Sequence, residues 1–365
     1  MKSKRIIAVC SSAIALMSVL WVSAGKAERI KDQSPNNDSV QVAVDKGLKW
    51  LVSVQGADGG WGQDGGATSY IRQTERLESN GNDVANTAVA AEALLHAGNT
   101  PTSGPYKESL RRAVGFILEH ADKTPMEGLS ITDLQGTQIQ RKLGPYIDTF
   151  LTSKLLAELD GRMGDAKSNA RVRANLEKCV AKIEKNQMKD GSWNIEGGWA
   201  PILGTSLASQ SLDLAQRRGI AVNATVVTKV EKYTQTTAEQ PAAAAAAGVP
   251  LYKSAQELEQ LTRTPKDRDK NANRIKEING QLSDDRFQTG FGSIGGEEFF
   301  SYLNVAESLR RTGGPTWEKW NAQTTEKILK TQNDDGTWAG HHCITGRVAV
   351  TGAAILNLLA DRNGK

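Results

Sequence analysis

A chain of 365 residues, 39% of them hydrophobic, is long enough for one large core or an array of repeats. Its formal charge of +4 belongs to residues 1–27, where Lys2, Lys4, Arg5 and Lys26 stand without an acid; beyond them 41 basic residues face 41 acidic ones. That balance gives no reason to expect nucleic acid or an anionic membrane surface as a partner.

The chain opens with a basic start, a mostly apolar run over Ile6 to Val22, and small residues at Ala24, Gly25 and Ala27. This is the order of a secretory signal, and it predicts cleavage near Ala24–Ala27 and a secreted or periplasmic protein. No second apolar stretch of about 20 residues follows, so no transmembrane segment is expected in the mature chain. Two cysteines then remain, Cys179 and Cys343, which an exported chain could pair.

The chain then repeats itself. Gln55, Asp58, Gly59 and Trp61 recur at the same spacing as Gln187, Asp190, Gly191 and Trp193, and again as Gln332, Asp335, Gly336 and Trp338. Each motif follows a stretch with apolar residues three or four apart: Val44, Leu48, Leu51 and Val52; then Leu176, Cys179, Val180 and Ile183; then Thr325, Ile328 and Leu329. That is the period of a helix with one buried face. A second helix, rich in small and apolar residues, follows each motif over Val84–Leu95, Leu203–Leu214 and Val348–Leu359, and each reaches a glycine at Gly98, Gly219 or Gly364. Two further units share the frame without the motif. One runs from Leu110–Leu118 to Ile147–Leu159 and Gly161, the other from Val222–Tyr233 to Glu297–Leu309 and Gly313. The pattern thus predicts an all-α protein of five helix pairs.

The turn between the helices has a physical logic. Asp bonds its own backbone and Gly accepts a positive φ, so Asp-Gly reverses the chain tightly. Gln can satisfy open backbone groups at a neighbouring helix end, and the Trp N–H needs a partner. These twelve residues read as a structural connector between units that bury a continuous core by stacking.

Lys46-Gly47-Leu48-Lys49-Trp50-Leu51, leading to Gln55 and Gly59-Gly60-Trp61, resembles the QW repeat of the squalene–hopene cyclase and protein prenyltransferase superfamily. The resemblance extends over most of the mature chain and marks it as a divergent exported member. It implies an α/α toroid, with inner helices ringed by outer ones around a cavity, usually closed by six pairs. Residues 238–290 break the period as an insertion: Gln240-Pro241, the run Ala242–Ala247, a helical Tyr252–Leu261, then a charged stretch from Lys266 to Glu277. Composition favours a solvated surface excursion there; the alternative is a helix pair that closes or covers the ring.

Within such a toroid the first turns of the second helices are where a site forms. Asp83-Val84-Ala85-Asn86-Thr87-Ala88 resembles the Asp-x-Asp-Asp-Thr-Ala acid motif of class II terpene cyclases, but Ala85 stands at the central Asp position and Asn86 at the next. Asp83 as a helix-start acid is the competing reading. With 5% aromatic residues the chain also lacks the lining that stabilises carbocations. His341, His342 and Cys343 gather scarce nucleophilic and ligating groups ahead of the last helix. Adjacent side chains do not all reach one ion in regular structure. The zinc set of prenyltransferases is not retained either, since Glu297 and Phe299 fall at its Asp and Cys positions and the His position falls near Val348. No metal and no cofactor is therefore expected. Glu297 and Glu298 open a helix, either as ordinary first-turn acids or as carboxylates facing the cavity near His341. The Gly290–Gly295 region contains Gly-x-Gly-x-x-Gly without a preceding strand, which excludes a dinucleotide site. Asp148, after Gly144-Pro145, reads as another first-turn acid.

Three functions follow from these residues. The preferred one is a toroid binding an unknown ligand or protein partner without turning it over. The second is an enzyme acting on a cell-envelope lipid or polysaccharide through Glu297–Glu298 and His341–Cys343. The third is a terpene cyclase or prenyltransferase-like transferase with a relocated acid.

Overall fold

The computed structural model describes residues 37–63, 81–194, 201–239, 248–284 and 295–362. The signal-like segment and Gly364 lie outside them. The described residues fold into helices: α1 (Asn37–Ser53), α2 (Val84–His96), α3 (Lys107–Lys123), α4 (Gln138–Leu143), α5 (Ile147–Leu159), α6 (Ala166–Lys185), α7 (Pro201–Arg217), α8 (Ala224–Glu239), α9 (Gly248–Leu261), α10 (Pro265–Lys270), α11 (Ala272–Leu282), α12 (Gly296–Thr312), α13 (Gly314–Lys330) and α14 (Arg347–Leu358).

Six of them pack side by side in a closed circuit. α2 lies against α5, α5 against α7, α7 against α9, α9 against α12, α12 against α14, and α14 returns to α2. The others form an outer layer: α3 and α6 pack on α2, α5 and α7, α8 and α11 on α9, and α1 and α13 on α14. This is an α/α toroid. Helix chemistry sorts the layers. α2 is buried from Val84 to Leu95 and α14 throughout, because their small and apolar residues face neighbours on every side. The outer α3 and α6 bury one stripe and expose charge on the other.

The ring has six pairs where the repeat pattern suggests five. The stretch 238–290 supplies α9, an inner helix between α7 and α12, and α11, an outer helix that buries Ile275, Ile278 and Leu282. The surface-excursion reading fails there because α11 buries that apolar stripe and its Arg274 pairs with Glu257 of α9 at 2.7 Å, so charge in this stretch also serves packing. In chain order α8 therefore leads into α9, and α11 into α12.

The three repeated turns are built alike. The indole N–H of Trp61, Trp193 and Trp338 donates to Leu51, Ile183 and Ile328 O respectively, each at 2.7 Å, closing the end of the preceding outer helix. The Gln amide of each turn donates to its own turn and to the next outer helix: Gln55 to Gly59 and Ser109 O, Gln187 to Gly191 and Val226 O, Gln332 to Gly336 and Ala43 O. The last of these joins the final unit to the first. Asp58, Asp190 and Asp335 each accept a backbone N–H two residues on. Gly59, Gly191 and Gly336 hold φ of +91°, +94° and +89°, and a Cβ on any of them would meet the backbone of the next outer helix within 3 Å. A fifth position recurs as well, without a fixed spacing. Thr87, Thr205 and Thr351 accept the backbone N–H of Trp61, Trp193 and Trp338, tying each turn to its inner helix. Their distance from the Trp varies with loop length, which hides them from a fixed-spacing comparison.

Candidate functional site

α12 starts from two glycines because another chain segment lies against it. A Cβ on Gly296 would sit 2.2 Å from Ile344 O, and one on Gly295 would sit 2.4 Å from the His342 ring and 2.6 Å from Glu298 Oε2. Gly295 and Gly296 thus admit the loop before α14; Gly290 and Gly292 lie outside the described residues. Glu297 and Glu298 occupy the first turn of α12, where free backbone N–H groups favour negative charge. Both are buried, at 1% and 0% exposure, and none of their four carboxylate oxygens finds a hydrogen-bond partner among the described residues.

The loop brings two donors to them. Cys343 has φ of +59°, alone among the described non-glycine residues in the left-handed region. That conformation costs about 1–2 kcal/mol for a residue with a Cβ, and it persists only where surroundings enforce it. Here it lets the adjacent His342 and Cys343 converge, which regular backbone forbids. His342 Nδ1 lies 3.4 Å from Cys343 Sγ and 3.6 Å from Glu297 Oε1. One ligating atom from each of Glu297, His342 and Cys343 falls within 4.8 Å of the others. His341 does not join them; it is exposed.

Burial sets the electrostatics. It pushes the Glu298 carboxyl up to about 7, with Glu297 adding to the rise. It raises the Cys343 thiol, against the opposing hydrogen bond from His342. From α9, Tyr252 places a buried hydroxyl without a partner among the described residues; burial and then Glu298 and Glu297 hold it well above the usual phenol range. Lys327 of α13 reaches Tyr302 Oη at 3.1 Å; burial lowers its amine and Glu298 opposes that.

This geometry excludes a nucleophilic relay. A Cys–His–acid relay uses one ring nitrogen for the thiol and the other for the acid. Here both neighbours meet Nδ1, and the thiol is raised rather than activated. Thiolate, imidazole and carboxylate are instead three zinc ligand types, with distinct atoms already gathered. A cation among them would neutralise Glu297 and displace the thiol proton, relieving the buried carboxylate. The residues present fit a metal's ligand types, a convergence that the expectation of no metal did not consider. The ligand set was illegible in the sequence because it depends on one residue's φ. Cys343 and Cys179 are both free thiols.

Asp83 lies elsewhere, as the N-cap of α2. Its Oδ1 accepts from Asn86 N and its Oδ2 from the Asn86 amide, both at 2.8 Å. Asp148 of α5 accepts from Ala85 N at 3.0 Å and from Gln140 Nε2 at 2.7 Å. Burial raises Asp83 to about 6; burial and then Asp83 raise Asp148 to about 7. Every carboxylate oxygen of the pair thus accepts a hydrogen bond, and the two acids staple the start of α2 to the next unit. The first-turn reading of Asp148 missed that its partner is on another helix.

Residues 30–127 match the family described as the squalene-hopene cyclase C-terminal domain. No curated protein matches the chain. Among solved structures, a type II terpene cyclase from Scytonema, in complex with merosterolic acid A, is similar over 89% of this chain and 97% of its own, with 11% identity and a TM-score of 0.35. Among the described residues no helix is long and apolar enough to cross a membrane.

Proposed function

We propose that this chain, a member of the squalene cyclase and protein prenyltransferase superfamily, is an exported toroid. It holds a divalent transition metal, zinc by its donor chemistry, at Glu297, His342 and Cys343, and acts there on a ligand bound inside the ring. The observation carrying this reading is the convergence of three different ligand types within 4.8 Å around a Glu297 carboxylate with no hydrogen-bond partner among the described residues. A metal held by Glu297, His342 and Cys343 would supply Lewis acidity and would activate water there. Glu298, buried beside the ligands and raised to about 7, is suited to hold and pass a proton near neutral pH. The reaction class is metal-assisted hydrolysis or transfer.

Isoprenoid cyclisation by protonation has less support. Asp83 and Asp148 spend their oxygens on donors from α2 and α4, leaving no proton aimed at a substrate. Without its metal the site is inert, and the toroid then acts as a binder only.

The test is metal content. Purified protein is expected to carry about one zinc per chain, lost in His342→Ala and Cys343→Ser. Cobalt substitution should give visible absorption with a thiolate charge-transfer band that Cys343→Ser abolishes. A chain that binds neither ion after reconstitution overturns the metal reading. N-terminal sequencing of protein recovered outside the cytoplasm checks export; an intact Met1 there refutes cleavage near Ala27.

A further inference from the structure

The loop before α14 carries His342 and Cys343 on irregular backbone, so its shape has to be imposed by what surrounds it. On one side His342 O accepts from Gly296 N at 3.4 Å, and the close approach of Gly295 and Gly296 to His342 and Ile344 seats the loop against α12. On the other side a single carboxamide makes three bonds. Gln138 Oε1 accepts from Thr345 N at 2.9 Å and from Gly346 N at 3.1 Å, and Gln138 Nε2 donates to Thr345 Oγ1 at 2.9 Å. Those two backbone N–H groups lie just ahead of α14 and have no acceptor within it. Gly346, the N-cap, has no side chain to offer, so a residue 207 positions earlier supplies the oxygen.

Gln138 reaches the loop from a helix that is fixed independently. Thr137 and Gln140 form a capping box at the start of α4. Gln140 Nε2 donates to Asp148 Oδ2 at 2.7 Å, and Gln63 Oε1 accepts from Gln138 N at 3.2 Å. At the far end of α4, Leu143 O lies against α7, where a Cβ on Gly204 would sit 2.2 Å away. Gln138 and Thr345 are both buried, so water does not compete for these bonds.

Cys343 stands between the two anchors, one residue after His342 and two before Thr345. A residue with a Cβ keeps a left-handed φ only where its surroundings over-determine it. An ordinary φ at Cys343 would swing Thr345 and Gly346 off Gln138. We infer that Gln138 is the positioning residue that holds the His342–Cys343 loop in the shape gathering Glu297, His342 and Cys343. Without its carboxamide the downstream anchor is lost, Cys343 relaxes toward an ordinary φ, and the thiol leaves His342 Nδ1. Groups that orient metal ligands typically govern about 10–100-fold of metal affinity. This deepens the function proposed above by naming what sets the ligand geometry; it rests on that reading for the metal and not for the loop.

The experiment compares the full-length parent with Gln138→Ala and Gln138→Glu. Zinc-stripped protein is labelled under native conditions with an aromatic disulfide reagent, and Cys343 and Cys179 are followed separately by peptide mapping. Cys179, fully buried on α6, reports global opening. Gln138→Ala should label Cys343 about tenfold or more faster with Cys179 unchanged, the pattern of a local release. Zinc titrated against a chromophoric chelator should bind Gln138→Ala about 10–100-fold more weakly, and the thiolate band of its cobalt form should weaken. Gln138→Glu keeps the accepting oxygen, and the Thr345 hydroxyl can turn to donate to its second oxygen, so both readouts should return toward the parent. Thr345→Val removes only the hydroxyl bond and should shift labelling the same way by a smaller factor, which keeps the test open if Gln138→Ala does not fold. The inference is overturned if Cys343 labels at the parent rate in the variants, if Cys179 accelerates with it, if Gln138→Glu behaves like Gln138→Ala, or if zinc affinity is unchanged where labelling is faster. A parent that binds no zinc while the labelling rates still separate sinks the metal reading and leaves Gln138 holding the loop.

Discussion

Replacing Asp83 by asparagine isolates what burial costs this acid. Asp83 is 3% exposed, and its carboxyl rises from 3.8 to about 6, chiefly by desolvation. A carboxyl whose folded value lies above its unfolded value binds protons more readily when folded. The stability this confers is complete below 3.8 and is lost as pH rises through 6. A rise of that size corresponds to about 3 kcal/mol of charge burial at pH 8, the ceiling on what a neutral side chain recovers. Asparagine caps helices as well as aspartate does, so the bond to Asn86 N survives in weaker form, at a loss of about 1 kcal/mol. The second contact survives as well. Asn86 Oδ1 has no partner among the described residues, so that amide can flip and accept from the side-chain nitrogen that Asp83→Asn introduces. Removing the charge also relieves Asp148, whose rise comes partly from Asp83. Asp83→Asn should therefore stabilise the fold by about 1–2 kcal/mol at pH 8, with the gain vanishing near pH 4. Denaturant unfolding across that range measures it. A variant less stable at pH 8, or a gain of equal size at pH 4, refutes the reasoning.

The seam between the last unit and the first depends on Gln332. Gln332→Ala removes the two amide hydrogen bonds to Ala43 O and Gly336 O and should cost about 1–3 kcal/mol. Hydrogen exchange should quicken first in α1; exchange unchanged there counts against ring closure through this residue. Lys154→Met strands the buried Glu92 and leaves the partly exposed Glu307 unpaired, and should cost about 3–5 kcal/mol. Glu92 is raised by burial to about 7, so it takes up a proton as pH falls and softens that loss. Urea unfolding should show the larger penalty at pH 8 than at pH 5, and adding Glu92→Gln should recover part of it. A pH-independent loss means Glu92 is not the group left charged.

Architecture was legible where chemistry repeats at fixed spacing. Gln, Asp, Gly and Trp recur because each turn must close one helix and reach the next, and those tasks select residue type and register together. The sixth pair was hidden because α9 and α11 are joined to their neighbours without that turn, and because charge on an outer helix reads like charge on a loop. Glu297, Glu298, His342 and Cys343 were nominated by scarcity and position, which sequence does record. Their convergence was not recorded, since it turns on the φ of Cys343 and on the closeness of Gly295 and Gly296 to the loop before α14. By itself the sequence determined the helix pairs and the turns joining them, because local periodicity and turn chemistry are written in neighbouring residues. Only the tertiary structure decided which buried polar groups share the axis, because that depends on helices far apart in the chain facing one another across the ring.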